Sequence, residues 1–127
     1  MIFVDTNVLM YAVGRSHPLK PEARSFFERS LEDGTDLATS AEVLQELLHA
    51  YLPVDRVSTL DAALALVESR IRQVWSVEPD DVRFARLLTG NHPGLGARDL
   101  LHLACCRRRA VDDIKTFDRA LAAAFRR

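Results

Sequence analysis

Four short apolar runs, kept apart by segments of helical period, constrain this chain most. IFV at 2–4, DLATS at 36–40, VWSV at 74–77 and DIKT at 113–116 have the length of single strands and no helical repeat. Between them, Ala23, Phe26, Phe27 and Leu31 recur at helical spacing in PEARSFFERSLEDG, with a proline near the start and Gly34 just past the end. Ser40 is placed to cap a helix over AEVLQELLHAYL, which Pro53 helps to stop. Val57, Leu60, Leu64, Val67, Ile71 and Val74 alternate at spacings of three and four, which predicts one long amphipathic helix whose stripe serves the core or a partner helix. DDVRFARLLTG, ARDLLHLACCRRR and DRALAAAF read as further helices, and NHPGLG as a loop. Short strands alternating with helices imply an α/β fold: a short, mainly parallel central sheet with helices on both faces.

At 127 residues the chain is expected to be a single domain, 1–127. The longest apolar runs fall far short of the length that spans a bilayer, and no basic, apolar and small-residue series marks a secretory leader. The expectation is a cytoplasmic protein with no membrane association. Cys105 and Cys106 are adjacent, too close for an ordinary structural disulfide, and read as small buried hydrophobes. A net charge of −1 supplies no global basic field for nucleic acid, although a local patch is compatible with it. Arg107, Arg108 and Arg109 form the densest cationic cluster, suited either to phosphate or to a helix C-terminus.

The acids take their meaning from this layout. In open α/β sheets ligands gather beyond the carboxyl ends of the strands. Asp5 follows IFV, Glu42 follows DLATS and Asp118 follows DIKTF, while Asp99 falls in the first turn of an almost wholly apolar helix. Singly, each acid has an ordinary role as a turn cap or a complement to a helix dipole. Carboxylates gathered within about 4–6 Å repel one another and raise each other's pKa, so their convergence calls for a cation. Oxygen donors without convergent cysteine or histidine fit Mg²⁺ or Mn²⁺. Glu46, one helical turn farther from the strand end than Glu42, is expected to matter less.

Other chemistry is less well supported. Glu46 with His49, and Asp99 with His102, repeat an acid–histidine spacing of three that di-iron helical bundles use, but a bundle does not need four strands. His49 and His102 read as helix-face or core residues, and His17 and His92 as loop residues. PGLG lacks both the preceding strand and the Lys-Ser/Thr of a phosphate-cradling loop.

VDTNVLMYA, TSAEVLQELL, ARDLLHLACC and DIKTFDRAL resemble, in order and spacing, the four acidic motifs of the PIN domain, and most closely those of VapC-type toxins of bacterial toxin–antitoxin pairs. The resemblance extends over nearly the whole chain. It implies a PIN-like three-layer fold and a Mg²⁺- or Mn²⁺-dependent endoribonuclease. Its acidic quartet maps onto Asp5, Glu42, Asp99 and Asp118, and its supporting polar positions onto Asn7 and Thr116. The partners it implies are an RNA substrate, a cognate VapB-type antitoxin and a second copy of the chain in a homodimer. A housekeeping RNA-processing nuclease and an inactive metal-binding or protein-interaction module are the alternatives.

Overall fold

The computed structural model describes all 127 residues. Strands β1 (Ile2–Val4), β2 (Leu37–Ser40), β3 (Gln73–Trp75) and β4 (Asp113–Lys115) form one sheet, all parallel, in the order β3-β2-β1-β4. Helices α1 (Thr6–Val13) and α2 (Lys20–Glu32) connect β1 to β2. From β2 to β3 the chain passes through α3 (Ala41–Tyr51), a 3-10 turn (Leu52–Val54) and α4 (Val57–Arg70). Helices α5 (Pro79–Leu88) and α6 (Ala97–Arg108) lead to β4, and α7 (Arg119–Arg126) follows it.

The first two crossovers step the same way across the sheet, and the third returns past β1 to the opposite edge. Right-handed connections therefore put α1 to α4 on one face and α5 and α6 on the other. Burial follows that division. Phe3, Val8, Leu9, Phe27, Val43, Leu47 and Leu60 belong to the larger core, and Ala85, Leu88, Leu100, Leu103 and Leu121 to a second. The change of direction makes a crevice beside β1, beyond the carboxyl ends of β1 and β4. No helix is long and apolar enough to cross a membrane.

Local chemistry sets the helix boundaries. Ser40 caps α3 by accepting from the N–H of Val43, as the sequence suggests. Glu78 and Asp81 form a reciprocal capping box at α5, with Pro79 in its first turn. Gly34 takes a φ of +67° just beyond α2, a conformation that glycine adopts without strain.

Two elements differ from the sequence reading. Helix α1 starts directly after Asp5, in a stretch too short for its period to stand out. The single long helix expected from Val57 to Val74 ends at Arg70, because Ile71 turns extended to feed β3, which contains Val74. Of its stripe, Leu60, Val67 and Ile71 are buried in the core and Leu64 packs against it, whereas Val57 and Val74 at its two ends are exposed. The arginine cluster is structural: Arg108 and Arg109 donate to the Asp81 carboxylate at 2.6 and 2.8 Å, and Arg107 to the Ala124 carbonyl. Cys105 and Cys106 are free thiols buried under the sheet.

Candidate active site

β1 delivers Asp5 to the crevice, where two hydrogen bonds fix the side chain. Its Oδ1 accepts from the N–H of Thr6 at 2.7 Å, capping α1, and its Oδ2 accepts from the Thr116 hydroxyl at 2.6 Å. Thr116, the first residue past β4, accepts in turn from the N–H of Asp118 at 3.0 Å and the Asn7 amide at 3.4 Å. Asn7 also accepts from the N–H of Phe117 at 3.2 Å. Asn7 and Thr116 thus tie α1 to the loop that carries Asp118. Asp118 itself caps α7 through Leu121.

A cleft of about 540 Å³ opens over this corner. Asp5, Glu46, Asp99 and Asp118 line it, together with Asn7 and Arg98. Three of the four acids expected from the sequence therefore meet. Glu42 does not line the cleft, and α3 presents Glu46 in its place. The reason is the path of α3. β2 ends beside β1 and not over Asp5, so the helix runs one turn, about 5.4 Å, before its side chains reach α1. There the Thr6 hydroxyl donates to Glu46 at 3.0 Å.

Contrary to the expectation that no histidine converges with the acids, His102 also belongs to the site, because the apolar packing of α6 turns its buried ring toward Glu46 and Asp5. Its Nε2 lies 2.5 Å from Glu46 Oε1 and 3.8 Å from Asp5 Oδ1. One ligand atom from each of Asp5, Glu46 and His102 falls within 4.8 Å of the others. The imidazole is 1 % exposed, packs against the Phe3 ring, and has no partner at Nδ1, so all its polar contact is made through Nε2. The signal for it was present: a histidine on a helix that is apolar nearly all round has nowhere to point but inward, and a buried imidazole requires a partner.

The electrostatics are those of crowded acids around one imidazole. Burial, then the charges of Asp118 and Asp5, push the Asp99 carboxyl up to about 6. Burial also raises Asp5, partly offset by His102 and the Thr116 hydrogen bond. Burial opposes ionisation of Glu46, but the His102 and Thr6 hydrogen bonds outweigh it and hold that carboxyl below its ordinary value. For His102 burial disfavours charge, and the Glu46 hydrogen bond with the surrounding carboxylates overcomes it, raising the imidazole above its usual range. A pocket of this composition has carboxylate oxygen donors in excess, the donor set that a hard divalent ion fits.

Comparison with known proteins agrees with this geometry. The sequence profile of the PIN domain matches residues 2–125. The ribonuclease VapC23 of Mycobacterium tuberculosis is 65 % identical over 126 residues, with 99 % of each chain covered. Among solved structures, the M. tuberculosis toxin VapC20, described as cleaving the sarcin-ricin loop, superposes with a TM-score of 0.79 at 22 % identity, covering 98 % of this chain and 95 % of that one. VapBC2 of Rickettsia felis, bound to a DNA fragment from its promoter, gives a TM-score of 0.70 at 19 % identity, over 91 % and 87 % of the two chains. With acids converging where the sheet changes direction, a domain match from residue 2 to 125 and a relative 65 % identical end to end, the chain belongs to the PIN-domain family and is of the VapC type.

Proposed function

We propose that this protein is an endoribonuclease that uses Mg²⁺ or Mn²⁺ to cleave RNA phosphodiester bonds, acting in the cytoplasm as the toxin of a VapBC-type pair. The observation that carries this reading is the convergence of Asp5, Glu46, Asp99 and Asp118 on one cleft in a VapC-type chain. Asp5 and Asp99 would hold the principal ion, with Glu46 and Asp118 completing the acidic pocket. When bound, the ion supplies Lewis acidity toward a phosphoryl oxygen and toward water. Asp5 is already oriented by Thr6 and Thr116, so its remaining lone pairs are committed to the cleft. His102 anchors Glu46 from below, where solvent does not reach. Arg98, on the rim and 3.9 Å from Glu46, is placed to grip a non-bridging phosphate oxygen with its planar fork. Asn7 and Thr116 set the distance between Asp5 and the Asp118 loop.

The partners follow from the family. A cognate VapB-type antitoxin would restrain the nuclease by lying over the cleft, with an arginine reaching toward the carboxylates. A homodimer would form through the exposed apolar residues around Leu52 and Val54.

The direct test is cleavage of total RNA by the purified protein, with and without Mg²⁺ or Mn²⁺, alongside Asp5→Asn. Metal-dependent cleavage lost in Asp5→Asn is the expected result. Cleavage indifferent to chelation would remove the metal, and a folded protein that cuts no RNA would point to a binding module. A small upstream reading frame whose product binds the protein separates a toxin from a housekeeping nuclease.

A further inference from the structure

We infer that the cleft running along α1 away from the acids is a single-strand RNA subsite, in which Tyr11 and His17 stack a base of the nucleotide beside the scissile phosphate while Arg15 and Arg56 hold its backbone. This rests on the nuclease reading above and adds the place where the strand lies. The cleft has a volume of about 500 Å³ and shares Asn7 and Met10 with the acidic pocket, so the two adjoin. Asn7, Met10, Tyr11 and Gly14 line it, positions three and four apart on one face of α1. From Asn7 to Gly14 that face runs about 10 Å at 1.5 Å per residue.

Its chemistry changes sharply along this path. The acidic pocket ends, and no carboxylate lines the second cleft. Tyr11 and His17 lie with ring centroids 4.5 Å apart, tilted by 35°, and Phe117 supports Tyr11 edge-on at 5.5 Å. His17 Nδ1 accepts from the N–H of Leu19, which makes Nε2 the ring's donor. Arg15 is exposed and pairs with no carboxylate. Arg56 lies over the Tyr51 ring, with a side-chain contact only to Thr59. Aromatic faces bordered by unpaired guanidinium groups are what an unpaired nucleotide needs: a π-surface for any base and bidentate donors for phosphate.

End-labelled oligoadenylate and oligouridylate, bound in chelator so that no strand is cut, test the subsite by fluorescence anisotropy. Tyr11→Leu is expected to weaken binding by about five- to 100-fold, the loss of one stacked base, and Tyr11→Phe to retain it. Arg15→Ala should weaken binding and reduce the slope of log affinity against log salt by about 0.7, one phosphate contact on a single strand. The melting-temperature rise produced by Mn²⁺ should be unchanged in all three variants, showing the acids undisturbed. If Tyr11→Leu disturbs that rise through Phe117, the exposed pair Arg15→Ala and His17→Ala decides. Unaltered affinity in that pair, no binding by the unaltered protein, or variants that lose only a protein partner would overturn the subsite. Cleavage of total RNA by the unaltered protein is scored separately. A protein that cuts RNA but binds as before when Arg15 and His17 are removed refutes the cleft alone, and one that binds through the cleft without cutting refutes the nuclease alone.

Discussion

Glu42 and Glu46 stand one turn apart on the same face of α3, and helical periodicity cannot choose between them. What decides is depth: the distance α3 must travel from the end of β2 before it meets α1, a property of the sheet order that no local pattern encodes. Asp5 was legible because it sits on a strand end, and Asp99 because it is the one acid on a helix that is apolar on most of its surface. Asn7 and Thr116 were legible only through the family's motifs. His102 was visible as a spacing but not as a partner of Glu46, since the contact joins residues far apart in sequence. The prediction at this scale separates the two glutamates. Glu46→Ala, like Asp5→Ala and Asp99→Ala, should reduce RNA cleavage by about 100-fold or more, the equivalent of several kcal/mol of lost charge stabilisation. Glu42→Ala should leave cleavage within a few-fold. Mg²⁺ or Mn²⁺ should raise the melting temperature of the metal-free protein by mass action, less so in Asp5→Asn and Asp99→Asn. An undiminished rise in both variants would place the ion elsewhere.

Among the elements, α5 and α6 are joined by an ion-pair network whose parts were visible in the sequence but whose purpose was not. Asp81 falls in the first turn of the DDVRFARLLTG helix, and the arginines read as suited either to phosphate or to a helix end. The fold makes Asp81 fully buried and gives it both Arg108 and Arg109, with Arg109 also lying over the Trp75 ring at 5.0 Å. Burial opposes the Asp81 charge, but the Arg109, Glu78 and Arg108 hydrogen bonds prevail and hold its carboxyl well below the ordinary range. A depressed folded pKa means the network stabilises the protein above the unfolded carboxyl value and that this stability is lost as pH falls through and below it. Asp81→Ala should cost about 3–5 kcal/mol by stranding half-buried guanidinium groups, lowering the melting temperature by roughly 10 °C or more. Asp81→Asn should flatten the acid limb of the stability–pH curve, measured by chemical unfolding from neutral pH downward. A limb as steep as that of the unaltered protein would show that other carboxylates govern acid unfolding. The stripe on α4 shows the converse limit of sequence reading: its middle, Leu60 to Ile71, faces the core, but Val57 and Val74 are exposed, and the stop at Arg70 depends on β3 having a place beside β2.

A run of apolar residues on the surface of the molecule is left without cover. Leu48, Leu52, Val54 and Val57 are 40–60 % exposed and follow one another from the last turns of α3 through the 3-10 turn into α4. Leu48 and Leu52 are four residues apart and share a face, whereas exposed Val82 and Leu87 on α5 are five apart and point in different directions. A contiguous patch of this kind marks an interface more often than chance exposure does, and here it borders Tyr51 and Arg56 at the end of the RNA cleft. A second copy docked there would set two such clefts near one another. The expected result is a dimer for the unaltered protein by light scattering at micromolar concentration, and a monomer for Leu52→Asp combined with Val54→Asp. Both substituted residues are exposed, so the melting temperature of the monomer should be lower only by the stabilisation that dimerisation provides, and should cease to depend on concentration. The Mn²⁺-induced rise should persist, because no ligand in the cleft comes from this patch. An unaltered protein that is monomeric at those concentrations would instead leave the patch to the antitoxin. Binding of a cognate antitoxin should then fail in the doubly substituted protein while RNA cleavage continues.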